Sequence, residues 1–175
     1  MHPPATRRTA NKSELFAHTA LSYAMVNLKP IVPGHVLVCP KRPLARFADL
    51  SPDEVADLWL LAQRVAATLE PHYGCSASTF AIQDGAAAGQ TVTHVHIHVL
   101  PRRDGQFARN DEVYDRVEDN EGALGEGRER LTQGMDADED RRPRSREEMA
   151  AEAAELRTLF PPAKFDRFSH PTWMK

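Results

Sequence analysis

The strictest alternation of polar and apolar side chains in this chain lies between Thr93 and Leu100. Histidines occupy positions 94, 96 and 98, and Val95, Ile97 and Val99 alternate with them. Successive side chains of an extended chain point to opposite faces. The pattern therefore predicts a strand with one buried apolar face and one face that carries three imidazole rings.

Other stretches with a period of two predict further strands. A first strand or strand pair begins at Leu15, another strand covers 35–40, and a short one covers 79–83. Proline and glycine make 29–34 a turn between the first two of these regions. The segment 84–91, which contains two glycines, is expected to lead the short strand back into the histidine strand as a hairpin.

Two helices are indicated by capping sequences that precede apolar stripes of helical spacing. Ser51 and Glu54 form a capping box before a stripe that runs to about His72. Ser145 begins a second box, and Pro161 ends the stripe that follows. Strands, helix, strands and helix follow one another without a βαβ repeat, which indicates an α+β fold with a largely antiparallel sheet.

Three segments lack this periodicity, and they divide the chain into a domain at 14–160 with two flanking ends. Residues 1–13 are polar and are expected to be flexible. Residues 108–144 are rich in charge and glycine, which predicts a mobile loop inside the domain. Residues 161–175 form a tail with three aromatic side chains, Phe165, Phe168 and Trp173. Such a tail is expected to pack against the protein.

Composition limits the class of protein. The chain has 175 residues, 41% of them hydrophobic, and a net charge of −3, which fits one soluble domain without general attraction for nucleic acid or anionic lipid. No apolar run reaches the roughly 18 residues of a membrane span, and no apolar stretch follows the basic start as in a secretory signal. We therefore expect a cytoplasmic protein, with the nucleus as a second location, in which Cys39 and Cys75 stay reduced.

Three interpretations of the histidine row compete. The first is a solvated polar face. The second is a zinc site, but His94 and His98 would lie roughly 13 Å apart at ~3.3 Å per residue, too far to share one ion at about 2.0 to 2.1 Å. The third is a nucleophilic imidazole, His96, flanked by two helpers, and it agrees best with the pattern because a neutral imidazole attacks phosphorus readily.

The sequence His-Val-His-Ile-His-Val at 94–99 resembles the signature of the histidine triad hydrolases and transferases of nucleotides. Further stretches resemble the fragile histidine triad branch of that family, at 26–30, 32–40, 83–85, 88–92 and 100–102. The resemblance implies a five-stranded antiparallel sheet with two main helices. It also implies that two subunits join edge to edge as a homodimer.

The activity implied by this resemblance is hydrolysis of dinucleoside polyphosphates, with diadenosine triphosphate cleaved to AMP and ADP as the best candidate. His96 would form a covalent nucleotidyl intermediate that water then hydrolyses. A divalent cation, Mg²⁺ or Mn²⁺, would bind through the substrate phosphates, and no metal held by the protein is expected. Neither nucleic acid nor a membrane is expected as a partner.

The resemblance also implies a role for each residue of the site. His96 is the nucleophile, with its ring oriented by a backbone carbonyl, and His98 contacts phosphate oxygens. His94 and His35 support the cluster, although His35 could equally be a buried structural histidine. The phosphates would be held by Gly89, Gln90, Thr91 and Val92. The sugar and base would be contacted by Gln83, Asn27, Met25 and Leu37, of which Asn27 could instead cap a strand end and the last two could be core.

Two further functions stay open from the sequence. Hydrolysis of nucleoside phosphoramidates or acyl-adenylates belongs to a neighbouring branch, whose members carry Gly-Gly where this chain has Pro101 and Arg102. A signalling module with slow turnover is the other, in which Tyr114 would be a modification or docking site. The charged loop looks longer than in the family, and the tail at 161–175 is expected to dock across the dimer or along the rim of the nucleotide site.

Overall fold

The structure is a computed structural model that describes residues 11–122 and 143–161, without the side chains of 118–122. Of residues 1–13, which were expected to be flexible, the first ten lie outside that range, whereas Lys12 and Ser13 lie in a 3-10 helix, Lys12–Glu14, whose carbonyls accept from Arg157. The packing of the aromatic tail from residue 162 also concerns a part of the chain outside the described residues. The same holds for the expected loop over 123–142. These three expectations stay predictions.

The described residues form one five-stranded antiparallel sheet, as the resemblance implied. Its spatial order is β1-β2-β3-β5-β4, so β1 and β4 are the two edges. The strands are β1 Leu15–His18, β2 Ser22–Val26, β3 Val36–Pro40, β4 Ala77–Ala81 and β5 Ile97–Arg102. The α+β fold class is therefore confirmed.

Within the described ranges, three α-helices accompany the sheet. They are α1 Pro52–His72, α2 Glu112–Gly122 and α3 Arg146–Arg157. Both predicted capping boxes are present: the Ser51 hydroxyl accepts from the Glu54 amide at 3.2 Å, and Ser145 accepts from Glu148 at the same distance. In the part of the chain that the structure describes, no helix is long and apolar enough to cross a membrane.

The main core lies between one face of the sheet and the helices α1 and α3. Its sheet side chains, fully buried, are Ala24, Val26, Val36, Val38, Ile97 and Val99. They pack in one cluster with Leu58, Leu61, Val65, Leu69, Met149 and Leu156 of the two helices. Because alternate residues of each strand point away from this core, the histidines of the sheet lie on the opposite face.

The predicted strand at 93–100 is wrong at its beginning, since β5 starts only at Ile97. The preceding residues pair with the loop after β3 instead of with β4. The amide of Val95 donates to the carbonyl of Leu44 at 2.8 Å, and β4 ends at Ala81, opposite His98. No β4 partner therefore exists for the positions before Ile97.

The loop predicted over 108–144 is wrong over Glu112–Gly122, which forms α2. Two valines one helical turn apart, Val113 and Val117, are buried in a second cluster with Ile31, Val32 and Leu100. This small cluster is enough to order a helix that is otherwise highly charged. The helix α2 therefore packs on the histidine face of the sheet at Leu100.

Candidate active site

A single cross-strand row leads across the sheet to the candidate site. Met25 pairs with Leu37, Leu37 pairs with His98, and His98 pairs with Ala81 on the other side. Directly opposed residues of antiparallel strands share a face. The predicted base-contacting residues Met25 and Leu37 thus lie beside the histidines, on the face away from α1 and α3.

Two of the histidines, His35 and His98, form a buried hydrogen-bonded pair. Nε2 of His35 lies 2.9 Å from Nδ1 of His98, and the rings are 0% and 1% exposed. Nδ1 of His35 accepts the backbone N–H of Ile31 at 3.1 Å. A ring that accepts at Nδ1 carries its proton on Nε2, so His35 donates to His98, and the proton of the neutral His98 is on its own Nε2.

The orientation of His96 is fixed by its own chain. Nδ1 of His96 lies 2.8 Å from the carbonyl oxygen of His94, and a carbonyl can only accept. The Nδ1 proton is therefore committed to this hydrogen bond, and the lone pair of the neutral ring is on Nε2. The His96 ring stands 4.8 Å from the His98 ring at an interplanar angle of 72°.

His94 does not continue the row that the alternation predicted. Its Nε2 lies 3.0 Å from the carbonyl of Pro40, and its Nδ1 accepts the amide of Leu44 at 3.3 Å. The side chain thus joins the segment before β5 to the end of β3. The consecutive ring contacts run from His96 to His98 and on to His35, while the backbone of His94 supplies the carbonyl that orients His96.

The predicted phosphate loop is fastened by an ion pair that sequence reasoning missed. Arg46 holds Asp84 with two nitrogens, at 3.0 and 3.2 Å, and the Phe47 amide donates to the same carboxylate at 2.8 Å. These two contacts, that of Arg46 first, lower the pKa of Asp84. Gly85 at φ 100° and Gly89 at φ 87° bound the short turn that follows, where a side chain would be strained.

Gln90 was predicted to bind phosphate, but its side chain is engaged within the protein. Its carbonyl oxygen accepts from the Gly85 amide at 2.9 Å, and its NH₂ group donates to the carbonyls of Ala45 and His94 at 3.0 and 3.4 Å. Gln90 therefore closes the loop and supports the carbonyl that orients His96. Thr91 and Val92 are half-buried beside it.

Gln83 is the reverse case, because its amide is buried without a hydrogen bond. The residue is 8% exposed, and neither amide atom has a partner among the described residues. A Cβ at Gly89 would stand 2.8 Å from its Nε2, and the φ of +87° at this position favours glycine in addition. An unsatisfied buried amide costs about 1 to 3 kcal/mol. Such a group beside the histidine face is suited to a polar ligand.

The remaining predicted residues line the other side of the histidine pair. Asn27 is buried, and its amide nitrogen lies 3.1 Å from Nε2 and 3.4 Å from Nδ1 of His35. Met25 is buried and Leu37 half-buried. Cys39 lies further along the same face, and burial raises the pKa of its thiol to about 12. Both cysteines are free thiols, as predicted.

Sequence reasoning also missed Arg144, which donates to the backbone carbonyl of Asn27. Arg144 and Arg46 were missed for the same reason. The two arginines contact residues 117 and 38 positions away along the chain, and no local pattern predicts such a pair. Across 11–122 and 143–161, no group of three or more His, Cys, Asp or Glu side chains is arranged to hold a metal ion.

Comparison with known proteins gives one family. The model of the HIT domain matches residues 8–105. A bifunctional bis(5'-adenosyl)-triphosphatase/adenylylsulfatase of Arabidopsis thaliana is 55% identical over 84% of this chain and 78% of its own. An asymmetrical bis(5'-nucleosyl)-tetraphosphatase of Schizosaccharomyces pombe is 46% identical over 85% of this chain and 89% of its own.

A solved structure agrees with the sequence matches. The NitFhit protein of C. elegans superimposes with a TM-score of 0.65 and 39% identity. The match covers 87% of this chain and 29% of that longer protein.

Proposed function

Since this chain belongs to the HIT domain family, in the fragile histidine triad branch, we propose that it hydrolyses dinucleoside polyphosphates. The best candidate reaction is the cleavage of diadenosine triphosphate to AMP and ADP. One observation carries this assignment to particular atoms. The His94 carbonyl fixes the Nδ1 proton of His96, so the Nε2 lone pair is directed away from the chain and next to His98.

The first step is an attack of His96 Nε2 on the α-phosphorus. A phosphorus–nitrogen bond forms, the bond to the bridging oxygen breaks, and ADP leaves with that oxygen. The positive charge that develops on the His96 ring is stabilised by the His94 carbonyl, which already accepts its Nδ1 proton. Nε2 of His98 donates a hydrogen bond to the phosphate oxygens in this step.

The second step releases AMP. Water attacks the same phosphorus, the phosphorus–nitrogen bond breaks with its electron pair returning to Nε2 of His96, one water proton passes to solvent, and AMP leaves with the oxygen from water. Gln83 contributes to both steps, because its buried amide meets its hydrogen-bonding requirement on the substrate. The glycine loop is closed by Gln90 and by the Arg46 to Asp84 pair, and the segment that leaves it, with Thr91 and Val92, meets the phosphates. The amides of Gly89 and Gln90 already donate within the loop, to the carbonyls of Ala86 and Gly85.

A divalent cation, Mg²⁺ or Mn²⁺, enters as part of the substrate, bound through its phosphates. The ion neutralises negative charge on the leaving nucleotide. The carboxylate of Asp84, the first residue of the loop, is already committed to Arg46. The protein therefore contributes hydrogen-bond donors to the phosphates, and the cation contributes charge.

A second candidate is asymmetrical cleavage of dinucleoside tetraphosphates. The S. pombe relative supports it, because its name specifies that activity at 46% identity. Both reactions attack the phosphorus next to one nucleoside, so they differ in the length of the leaving group. The Arabidopsis relative adds an adenylylsulfatase activity to its name, which makes adenylates a third group to test.

Two copies of the chain are proposed to join through the edge strand β4. Trp59 and Phe80 flank this edge, 39% and 38% exposed, with ring centroids 6.0 Å apart. Exposed aromatics beside an unpaired strand edge are a surface that a second copy can cover.

A cytoplasmic or nuclear location is part of the proposal, supported by the free thiols of Cys39 and Cys75.

The test is a nucleotide panel in heavy-oxygen water, with products separated and weighed. Diadenosine triphosphate should give AMP that carries the label and ADP that does not. A quench in base during a single turnover, before water releases the product, should trap AMP on the protein, since the phosphoramidate is stable there. Label in ADP would contradict attack at the α-phosphorus, and the absence of trapped AMP at every quench time would contradict the covalent step.

A further inference from the structure

One arginine outside the sheet holds the chain segment that carries Asn27. Nε of Arg144 donates to the Asn27 carbonyl at 3.0 Å, and a terminal nitrogen of the same guanidinium donates to the same oxygen. The backbone N–H of Arg144 donates to the next carbonyl, that of Leu28, at 2.9 Å. Two consecutive carbonyls after β2 are thus bound by a single residue.

The guanidinium is itself held in place by Glu152 of α3, which in turn is held by Tyr73, the residue that follows α1. Its other terminal nitrogen pairs with the Glu152 carboxylate, and the two side chains are only 18% and 17% exposed. The hydroxyl of Tyr73 donates to the second carboxylate oxygen at 3.2 Å. A planar guanidinium with both ends engaged and little solvent has one orientation, unlike a flexible ammonium group.

The contact matters because the side chain of Asn27 has little freedom of its own. It is 4% exposed, its amide nitrogen rests against the His35 ring, and its carbonyl oxygen accepts from the Lys29 amide at 3.3 Å. The direction of this amide is therefore set by the backbone at 27–28. That is the part of the chain that Arg144 fixes.

We propose that Arg144 is a positioning residue for ribose recognition, acting on Asn27 through its backbone carbonyl. Glu152 and Tyr73 hold the guanidinium, the guanidinium holds the strand end, and the strand end presents the amide to the ribose hydroxyl. The proposal rests on the proposed function in one respect, the ribose contact of Asn27. It adds a residue that lies on neither the histidine strand nor the phosphate loop.

The experiment compares the binding of AMP and of 2',3'-dideoxyadenosine monophosphate by calorimetry on the full chain. The wild type should prefer AMP by about tenfold, the value of one hydrogen bond to a neutral group. In Arg144→Met the preference should fall to about twofold or less. Arg144→Lys keeps the positive charge beside Glu152 but lacks the planar guanidinium that binds Glu152 and the Asn27 carbonyl together, so an intermediate preference for AMP is expected. This variant replaces Arg144→Met in the test if the methionine variant does not fold.

The matched control is Arg157→Met. Arg157 also donates from its guanidinium to backbone carbonyls, those of Leu15 and Ser13 at 2.7 and 2.6 Å, but at the β1 edge. This variant should lose thermal stability yet keep the wild-type preference. Nuclear magnetic resonance gives a readout without ligand: the Asn27 side-chain amide signals should shift in Arg144→Met and stay in Arg157→Met.

An unchanged preference in both Arg144 variants would overturn the proposal, as would unmoved Asn27 signals. Hydrolysis of diadenosine triphosphate by the wild type is measured beside these. A wild type that hydrolyses it without ribose preference overturns the positioning role alone. A wild type that shows the preference but hydrolyses no dinucleoside polyphosphate overturns the proposed function alone.

Discussion

At the scale of single residues, two nitrogens of one imidazole decide the chemistry. His96→Ala removes the Nε2 lone pair and leaves the loop, Gln83 and Asn27 in place. We expect turnover to fall roughly 10⁴-fold or more while nucleotide affinity stays within about threefold. Product separation and calorimetry measure the two quantities.

The control for this variant is His72→Ala. It removes the histidine at the end of α1, which pairs with Glu155 of α3. It should keep wild-type turnover. Near-normal turnover in His96→Ala would show that another group attacks the phosphorus.

The same substitution, to methionine, should change the free energy of unfolding in opposite directions at Gln83 and at Gln90. Gln83→Met replaces an unsatisfied buried amide with an apolar chain of similar shape, so the free energy of unfolding should rise by about 1 kcal/mol while nucleotide affinity falls. Gln90→Met breaks hydrogen bonds to Gly85 and Ala45 and should lower the free energy of unfolding by about 1 to 3 kcal/mol. Urea unfolding of both variants checks this, and a loss of stability in Gln83→Met would contradict it.

Such differences between neighbouring side chains were beyond prediction from sequence. The segment 84–91 was predicted as a hairpin, with Gln90 on the phosphates and Gln83 just before it as a contact of the nucleotide, but both are glutamines at the two ends of one hairpin. Their difference depends on Ala45 and His94, which only the folded chain brings to Gln90. The histidines show the same limit, since His94 leaves the row to bind Pro40.

At the scale of elements, the start of α1 should make stability depend on pH. Arg42 first, and then the Ser51 amide, lower the pKa of Glu54 from 4.5 to about 2. A carboxylate with a lowered folded pKa contributes stability that is present above pH 4.5 and is lost as pH falls through about 2. Glu54→Gln should therefore be less stable than wild type at pH 7, and the difference should shrink as pH falls between these values.

Denaturant unfolding at several pH values measures the difference. Asp53→Asn, which removes an exposed carboxylate from the same turn of α1, is the matched control for loss of charge. A separate variant, Ser51→Ala, removes the cap and should cost about 1 kcal/mol. A difference between wild type and Glu54→Gln that stays constant from pH 7 to pH 2.5 would contradict the argument.

The helices with strong local signals, α1 and α3, were predicted because their caps and stripes lie within a few residues of one another. The helix α2 was missed, because its order depends on the packing of Val113 and Val117 against Leu100 on one face of the sheet. The early part of the histidine strand was mistaken for the same reason. Its alternation is real, but β4 is too short to pair with it.

At the scale of the whole molecule, the β4 edge makes a prediction about assembly. Phe80→Lys places a charge beside Trp59 at the surface where a second copy is proposed to join. The wild type should sediment as a dimer and the variant largely as a monomer. Leu21→Lys, which changes a leucine that is 37% exposed elsewhere on the chain, should remain a dimer. A monomeric wild type would exclude this mode of assembly.

The hydrogen bond from Ile31 to His35 bears on which leaving groups the site can serve. Because Nδ1 of His35 is occupied by a backbone N–H, its Nε2 proton always faces Nδ1 of His98. An imidazolium at His98 would set two N–H groups against each other across 2.9 Å. In this arrangement the neutral His98 ring meets the leaving group as a hydrogen-bond donor through Nε2. A nucleotide that departs from phosphorus as a stable anion needs no proton, whereas an amine does. The turn that binds Ile31 to His35 in this way favours substrates whose leaving group is a phosphate anion over those whose leaving group is an amine.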